Sequence, residues 1–418
     1  MFCAQNYFRS PKIPLIANLR TYFLDRSRLF VYSWGVIFVF LFLSVKLIIG
    51  SNFVSPQGYY TLIDFRALWS AAYLAVSGRA ADAYDPNILN QICWSLDPYI
   101  RMVNTGMYDP ATIPVRLYWL YPPTYLLVVA PLGLLPLTYS CILYLMGSFV
   151  GYLAVLKKFV PNNSVLLALI AFPAVWSNFR LGQNGYLITT LFGLALLLLP
   201  KSPRLAGIFI GALCIKPHLA LMFPVALLAI GAWSTILIAF VSGLIFIAAS
   251  VYFLGFNAWE GWFNSLRMAR LILETYPFHW NFSPSVFALM RLSGAPLSLA
   301  YSAHFIVAIL VASAVWNVWR TYSSWRIRQS ILVLASILAS PYMMDYDLTL
   351  LALPIALIAN EGIEYGWMPS ERQILMMLWA LPMLMVFLSF YTSIQVGPIV
   401  LLLAIVFLMR RARRHLAK

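Results

Sequence analysis

The chain is short of charge, and of negative charge above all. Thirteen acidic residues stand against 28 lysines and arginines in 418 positions, and charged residues make up only 10% of the total. With 62% hydrophobic residues and a mean hydropathy of +0.83, this excludes a soluble globular domain. Cysteine is scarce too: Cys3, Cys93, Cys141 and Cys214 are scattered, with no CxxC or metal-ligand spacing. That argues against a structural disulfide and against a zinc site. The short alternating segments of a transmembrane barrel are also missing, and the apolar runs are long and continuous. What remains is an all-α polytopic membrane protein, because lipid-exposed spans must satisfy their own backbone polar groups. The net charge of +15 does not mark a nucleic-acid binder, since the basic residues gather at the ends of apolar segments.

Lys12, Arg20, Arg26 and Arg28 precede the apolar run Leu29–Gly50, the charge order of a signal sequence. The run is too long for a cleaved signal and no small-residue cleavage site follows, so it reads as a signal anchor and first span. Residues 1–28 are then cytoplasmic, and Lys46 can snorkel at the far end. Residues 51–120 form the longest polar stretch, a first extracytoplasmic loop holding Asp64, Asp82, Asp85, Asp97 and Asp109. Within it, Phe65–Ser77 repeats apolar residues at helical spacing, which predicts a helix on the membrane plane with Trp69 and Tyr73 at the interface. Ala83–Pro86 is expected to stop that helix, because proline disfavours helix in the residue before it.

Further spans are expected near 164–178, 186–200, 205–216, 219–231, 233–254, 298–319, 330–341, 347–359, 373–390 and 396–409. One transmembrane domain thus covers 29–410, and a basic cytoplasmic tail covers 411–418. Several spans fall short of the ~20 residues of a straight crossing. Short, proline-broken helices are tolerated only where protein or a water-filled cavity covers them. Residues 121–156 read as two short helices, which would put Lys157 outside. Either that region crosses once, or 164–185 dips in and returns.

Cytoplasmic placement of Lys157/Lys158, Lys201/Arg204, Arg320/Arg326/Arg328 and Arg410–Arg414 leaves a set of polar motifs on the opposite face. These are Gly182–Gly185 (Gly-Gln-Asn-Gly), Lys216–His218 (Lys-Pro-His), the 255–283 loop and Met343–Asp347, together with Asp64. Intramembrane ionisable residues are functional candidates by default, and several on one face indicate one site. Asp64 itself has two readings. It caps the helix that follows it, or it is the acid of a membrane enzyme placed where a lipid-linked substrate arrives.

The motifs, in their order along the chain, resemble glycosyltransferase family 87. They are Asp-Phe-x-x-x-Trp-x-Ala-Ala (Asp64–Ala72), Ala-Tyr-Asp-Pro (Ala83–Pro86), Tyr-Pro-Pro-x-x-x-Leu (Tyr121–Leu127), Pro-Leu-x-x-Leu-Pro (Pro131–Pro136), Gly-Gln-Asn-Gly, Lys-Pro-His and Ser-Pro-Tyr-x-x-Asp-Tyr-Asp-Leu (Ser340–Leu348). The resemblance runs from about residue 30 to 360 and departs at 279–292, where relatives carry an Asn-Gln-Ser-Leu pattern. It implies a C-type glycosyltransferase helical bundle of about 11–13 transmembrane helices with a helical first extracytoplasmic loop. It also implies an inverting hexosyltransferase, mannose-like, of a bacterial inner membrane. The donor is a polyprenyl-phosphate sugar, the acceptor a glycolipid or glycan, and the active site faces the periplasm.

No cofactor and no metal are required, because a donor with a single phosphate lacks the pyrophosphate that recruits a divalent cation. Asp64 is the implied catalytic base. Lys216, His218, Arg267, Arg270, His279 and Arg291 are candidates for the departing phosphate. Lys216 alternatively snorkels, His279 packs among aromatics, and Arg267 and Arg270 touch lipid headgroups. Gln183, Asn184, Asp345, Asp347 and Tyr121 are implied sugar- or acceptor-binding positions. For the first two the alternative is a tight turn between glycines, and for the two acids a helix cap. A transporter or lipid flippase is the competing class, and it predicts an internal repeat. Regions 164–231 and 298–359 share no clear one.

Overall fold

The computed structural model describes residues 26–49, 62–95, 117–321 and 324–416, and among them every regular element is helical. Cys3, Lys12, Arg20, Asp97 and Asp109, with most of the 1–28 segment and the last residues of the tail, lie outside the described residues. In chain order the first helices are α1 (Arg26–Ile49), α2 (Ile63–Val76), α3 (Pro86–Ser95), α4 (Pro123–Val129) and α5 (Leu137–Leu156). Next come α6 (Asn163–Ile170), α7 (Pro173–Leu181), α8 (Gly185–Leu198), α9 (Pro203–Ala212), α10 (Met222–Ala229) and α11 (Trp233–Leu254). The chain continues through α12 (Phe256–Thr275), α13 (Pro277–Phe282), α14 (Val286–Leu292), α15 (Leu297–Arg320) and α16 (Trp325–Leu338). It closes with α17 (Ala352–Tyr365), α18 (Glu371–Thr392) and α19 (Gly397–Leu416).

Six helical runs are long and apolar enough to cross a membrane, or seven if α6 and α7, bent by 41° at Ala171–Phe172, count as one. The six are α1, α5, α11, α15, α18 and the run Asp345–Tyr365, in which a 3-10 turn (Asp345–Leu351) leads into α17. That last run is central, with 89% of its span buried, whereas α11 is peripheral at 6%. The other apolar pieces are shorter: Pro123–Leu134, Gly185–Leu198, Pro203–Ile215 and Pro217–Ala229. The last two meet end to end at Lys216, because Pro217 cannot supply the N–H that would continue a helix.

Three sequence expectations change. Region 121–156 holds one helix of crossing length, α5, preceded by α4 and a 3-10 turn (Ala130–Leu134) that pack along α2. The region thus has one span rather than two, which places Lys157 at the end of α5 remote from the α2 side. Secondly, α2 does not lie open on a surface. Phe65, Leu68, Ala71, Ala72 and Leu74 are all at most 4% exposed, and Trp69 Nε1 donates to the Leu135 carbonyl at 2.9 Å. Thirdly, α2 ends at Val76 rather than at Ala83–Pro86. Gly78 turns the chain with φ +74, and Pro86 opens α3 as a first-turn proline instead of stopping its predecessor.

The α2 contact is tight because Gly133 has no side chain. A Cβ there would fall 2.5 Å from the Ala72 carbonyl and 2.6 Å from the Tyr73 nitrogen, all backbone atoms that cannot swing away. Gly133→Ala is therefore expected to destabilise the protein by about 1–3 kcal/mol. Thermal unfolding of the purified protein measures this, and an unchanged midpoint would show that the two segments do not approach so closely.

At the end of the bundle remote from Asp345, α19 is held by a buried ion cluster. Arg411 Nη1 donates to both Glu371 carboxylate oxygens at 2.6 Å, and Nη2 to the Glu361 and Gly366 carbonyls. Asp345 opens the central run and Glu361 lies in its last turns, roughly 25 Å away at helical rise.

Candidate active site

The site begins with the Gly182–Gly185 turn. Gly182 ends α7 in the left-handed region (φ +72), with its N–H bonded to the Asn178 carbonyl at 2.9 Å, the usual glycine helix ending. A Cβ at Gly182 would lie 2.4 Å from Phe65 Cβ of α2. A Cβ at Gly185 would lie 2.5 Å from the Tyr346 carbonyl oxygen and 2.7 Å from Asn178 Oδ1. The Gly185 N–H donates to that same Oδ1 at 2.7 Å. Both glycines are thus required by close approach, one against α2 and the other against the Asp345–Leu351 turn. The two residues between them are clamped, and each makes one key contact.

Gln183 reaches Asp64, its Nε2 donating to Oδ2 at 2.9 Å. Its Oε1 accepts from the Tyr121 hydroxyl at 2.8 Å. Asn184 reaches Lys216, whose Nζ lies 3.4 Å from Oδ1. Lys216 is 3% exposed and its ammonium pairs with the Asp347 carboxylate. The same ammonium stands over the rings of Tyr346 at 5.0 Å and Tyr121 at 5.7 Å. Lys216 therefore does not snorkel. It turns inward at the break between two short helical runs, to an acid 131 positions away.

Asp64 does not cap α2. Leu62 is the N-cap residue, in the left-handed region (φ 56), with its own N–H donating to the Arg180 carbonyl at 3.1 Å. Asp64 falls in the first turn of α2, where a negative charge is favoured by the helix dipole, and its carboxylate is left for the site. Burial pushes its carboxyl up from the usual aspartate value to about 6. The Gln183 bond and the Arg180 charge hold it down against that rise, and the neighbouring Asp345 adds to it.

The two acids of the Asp-Tyr-Asp segment are used differently. Asp347 is committed, one oxygen to Lys216 and the other accepting the Met344 N–H at 3.2 Å. Asp345 is 2% exposed and accepts from the Ser177 hydroxyl through Oδ2, while its Oδ1 has no hydrogen-bond partner among the described residues. The buried Nδ2 atoms of Asn184 and Asn178 are likewise without one. A buried polar atom left unsatisfied is costly, and one that faces a substrate regains a partner on binding.

The remaining phosphate candidates fall into two groups. His218 stays in the Lys216 turn, its Nε2 buried and without a hydrogen-bond partner among the described residues. The others are engaged elsewhere or face outward. Arg270 bonds Glu274 at 2.8 Å on the exposed side of α12, where Arg267 is also exposed. Arg291 donates to the Ala295 carbonyl at 2.7 Å and stacks 4.7 Å over Trp280. His279 packs edge-on to Tyr276 and Phe278, as an aromatic neighbour would. Among the described residues, no hydrogen bond or ion pair joins these four to Asp64, Lys216 or Asp345.

Sequence reasoning missed Ser177, Asn178, Arg180 and Tyr346. The first three lie on the last turns of α7 and lead into the glycine turn, which is the only local signal they carry. Tyr346 sits between the two acids that drew attention.

The described residues thus form an all-helical, multi-pass membrane bundle that gathers buried acids and a buried lysine at one end. The family model of glycosyltransferase family 87 matches residues 119–341, more than half of the chain, and the chain belongs to that family. The matched stretch contains Tyr121, the glycine turn and Lys216. Asp64 precedes it, and Asp345 and Asp347 follow it. No curated protein and no solved structure matches the chain.

Proposed function

We propose that the protein is an inverting transferase that moves a hexose, mannose-like, from a polyprenyl-phosphate donor to a glycolipid or glycan acceptor. Asp64 acts as general base. Its carboxylate takes the proton of an acceptor hydroxyl as that oxygen bonds to the anomeric carbon. The bond from that carbon to the phosphate oxygen breaks on the opposite side, and the electron pair leaves with the polyprenyl phosphate. Lys216, with His218 beside it, meets the charge that grows on the departing phosphate. Asn184 and Asp345 hold sugar hydroxyls through the polar atoms that lack partners.

One observation carries this reading. A base candidate and a buried cation come from separate segments of the chain, and a single turn, Gln183–Asn184, contacts both. The basic ends of α5 and α19 lie away from this site, which supports a periplasmic active site in a bacterial inner membrane, with the N-terminus cytoplasmic.

The test is transfer by the purified protein in nanodiscs from a panel of donors. Transfer from polyprenyl-phosphate mannose or glucose, and none from nucleotide sugars, is expected. Transfer from nucleotide sugars alone would overturn the proposal. The pH dependence carries its own sign. Protonated Asp64 cannot accept a proton, so kcat/KM is expected to fall as the pH drops through about 6 and to level off above it. A profile flat down to about pH 4 would show that burial does not raise the Asp64 carboxyl.

A further inference from the structure

Gln183 can present either end of its amide to Asp64, with opposite consequences. The nitrogen donates to the carboxylate, whereas the oxygen would repel it. We infer that Tyr121 is the positioning residue that decides between these orientations, holding the Gln183 oxygen so that the amide nitrogen faces the base. The inference rests on the reading of Asp64 as general base.

Two donors meet Gln183 Oε1. The Tyr121 hydroxyl does so at 2.8 Å and the Asn184 N–H at 3.3 Å. The second is long and comes from the adjacent residue, so the hydroxyl is the stronger hold. A phenol has one proton to give, and giving it to Gln183 fixes the direction of the whole chain: Tyr121 to Gln183, Gln183 to Asp64. One carboxylate oxygen of Asp64 is thereby engaged and the other is left to accept the substrate proton.

Tyr121 is itself pinned through its backbone rather than its hydroxyl. Its carbonyl accepts from the Tyr84 hydroxyl at 3.0 Å, the Leu120 carbonyl accepts from Trp262 Nε1 at 3.2 Å, and Pro122 and Pro123 restrict the chain that follows. Its ring packs tilted against Trp119 and edge-on to Tyr125, and its face carries Lys216. Removal of the hydroxyl alone therefore keeps the backbone and the ring beside the cation, and takes away the hold on Gln183 together with the hydroxyl's contact to Tyr346. The charged and titratable groups that face Asp64 are Arg180 at the end of α7, Asp345 and Tyr346 in the 3-10 turn, and Tyr121 itself. Tyr121→Phe leaves the first three in place.

The experiment compares Tyr121→Phe, Gln183→Leu, the double variant and Asp64→Asn in the full chain. Rates from polyprenyl-phosphate sugar are measured against pH and donor concentration, with thermal unfolding as a control. Tyr121→Phe is expected to lower kcat roughly tenfold and to move the acid limb of the pH profile upward by about one pH unit, because the carboxylate loses its donor. The donor KM is expected to stay within about twofold, because the ring remains beside Lys216. Gln183→Leu should move the limb likewise, and the double variant no further than either single one.

An unmoved limb in Tyr121→Phe, or single effects that multiply in the double variant, overturns the inference. A loosened bundle would lower rate and unfolding temperature without moving the limb. If Asp64→Asn is inactive while the limb of Tyr121→Phe stays put, only the positioning role fails. An active Asp64→Asn overturns the base reading itself.

Discussion

Asp64→Asn is expected to lower kcat for sugar transfer on the order of a thousandfold, with the donor KM and the amount of folded protein unchanged. The substitution is close to isosteric. Asparagine keeps an oxygen that can accept the Gln183 Nε2 proton, so the contact that ties α2 to the glycine turn survives. Charge and basicity are what it removes. An acceptor hydroxyl must then attack without losing its proton to the protein, and the corresponding transition state loses its stabilisation. Leu62, not Asp64, occupies the cap position, so no capping bond is lost and the helix has no reason to fray. Single-turnover rates from a polyprenyl-phosphate sugar, beside donor binding measured separately, give the result. Wild-type rates would remove Asp64 from the chemistry.

Lys216→Met is expected to fail twice, and the two failures can be separated. Asp347 is 1% exposed and its carboxylate is balanced by Lys216. Removal of the ammonium leaves a buried charge without its partner, which costs about 3–5 kcal/mol unless the acid takes up a proton. The variant should therefore unfold well below the wild-type temperature. In Lys216→Met combined with Asp347→Asn, both charges are gone, the Met344 N–H still finds an oxygen, and most of the stability should return. Transfer should not return. The phosphate still departs without a cation to meet it, and loss of such a group typically costs about 10²–10³ in kcat. Full activity in the stable double variant would show that Lys216 serves the fold alone.

These two residues also show what could be read in advance. Lys216 stood out as an ionisable side chain in an apolar turn, and Asp64 as one of few acids, placed just past the first span on an aromatic-bearing amphipathic stretch. Placement on the same face as Asp64 picked out Asp345, Asp347 and the Gly-Gln-Asn-Gly turn. It did not pair them. Lys216 and Asp347 lie 131 positions apart, and nothing near either one names the other. Local signals also misled in one place. Asp before an apolar repeat reads as a helix cap, but the Leu62 N–H is claimed by the Arg180 carbonyl, and that long-range bond helps set where α2 starts. Arg270, Arg291 and His279 looked like phosphate ligands because their charge or ring chemistry suits one, and only packing shows that Glu274, Trp280 and two aromatic rings engage them.

The amino-acid sequence alone determined the membrane class, the helical architecture and the residue types able to do transfer chemistry. Each of these follows from composition and local order in a solvent that will not tolerate unpaired polar groups. The tertiary structure decided which of those residues meet. It gave Asp347 to Lys216, left one oxygen of Asp345 open, and aimed the Gln183 amide at Asp64. Such choices depend on which helices lie side by side in a packed bundle, and that is settled by shape and burial summed over the whole chain rather than by any segment of it.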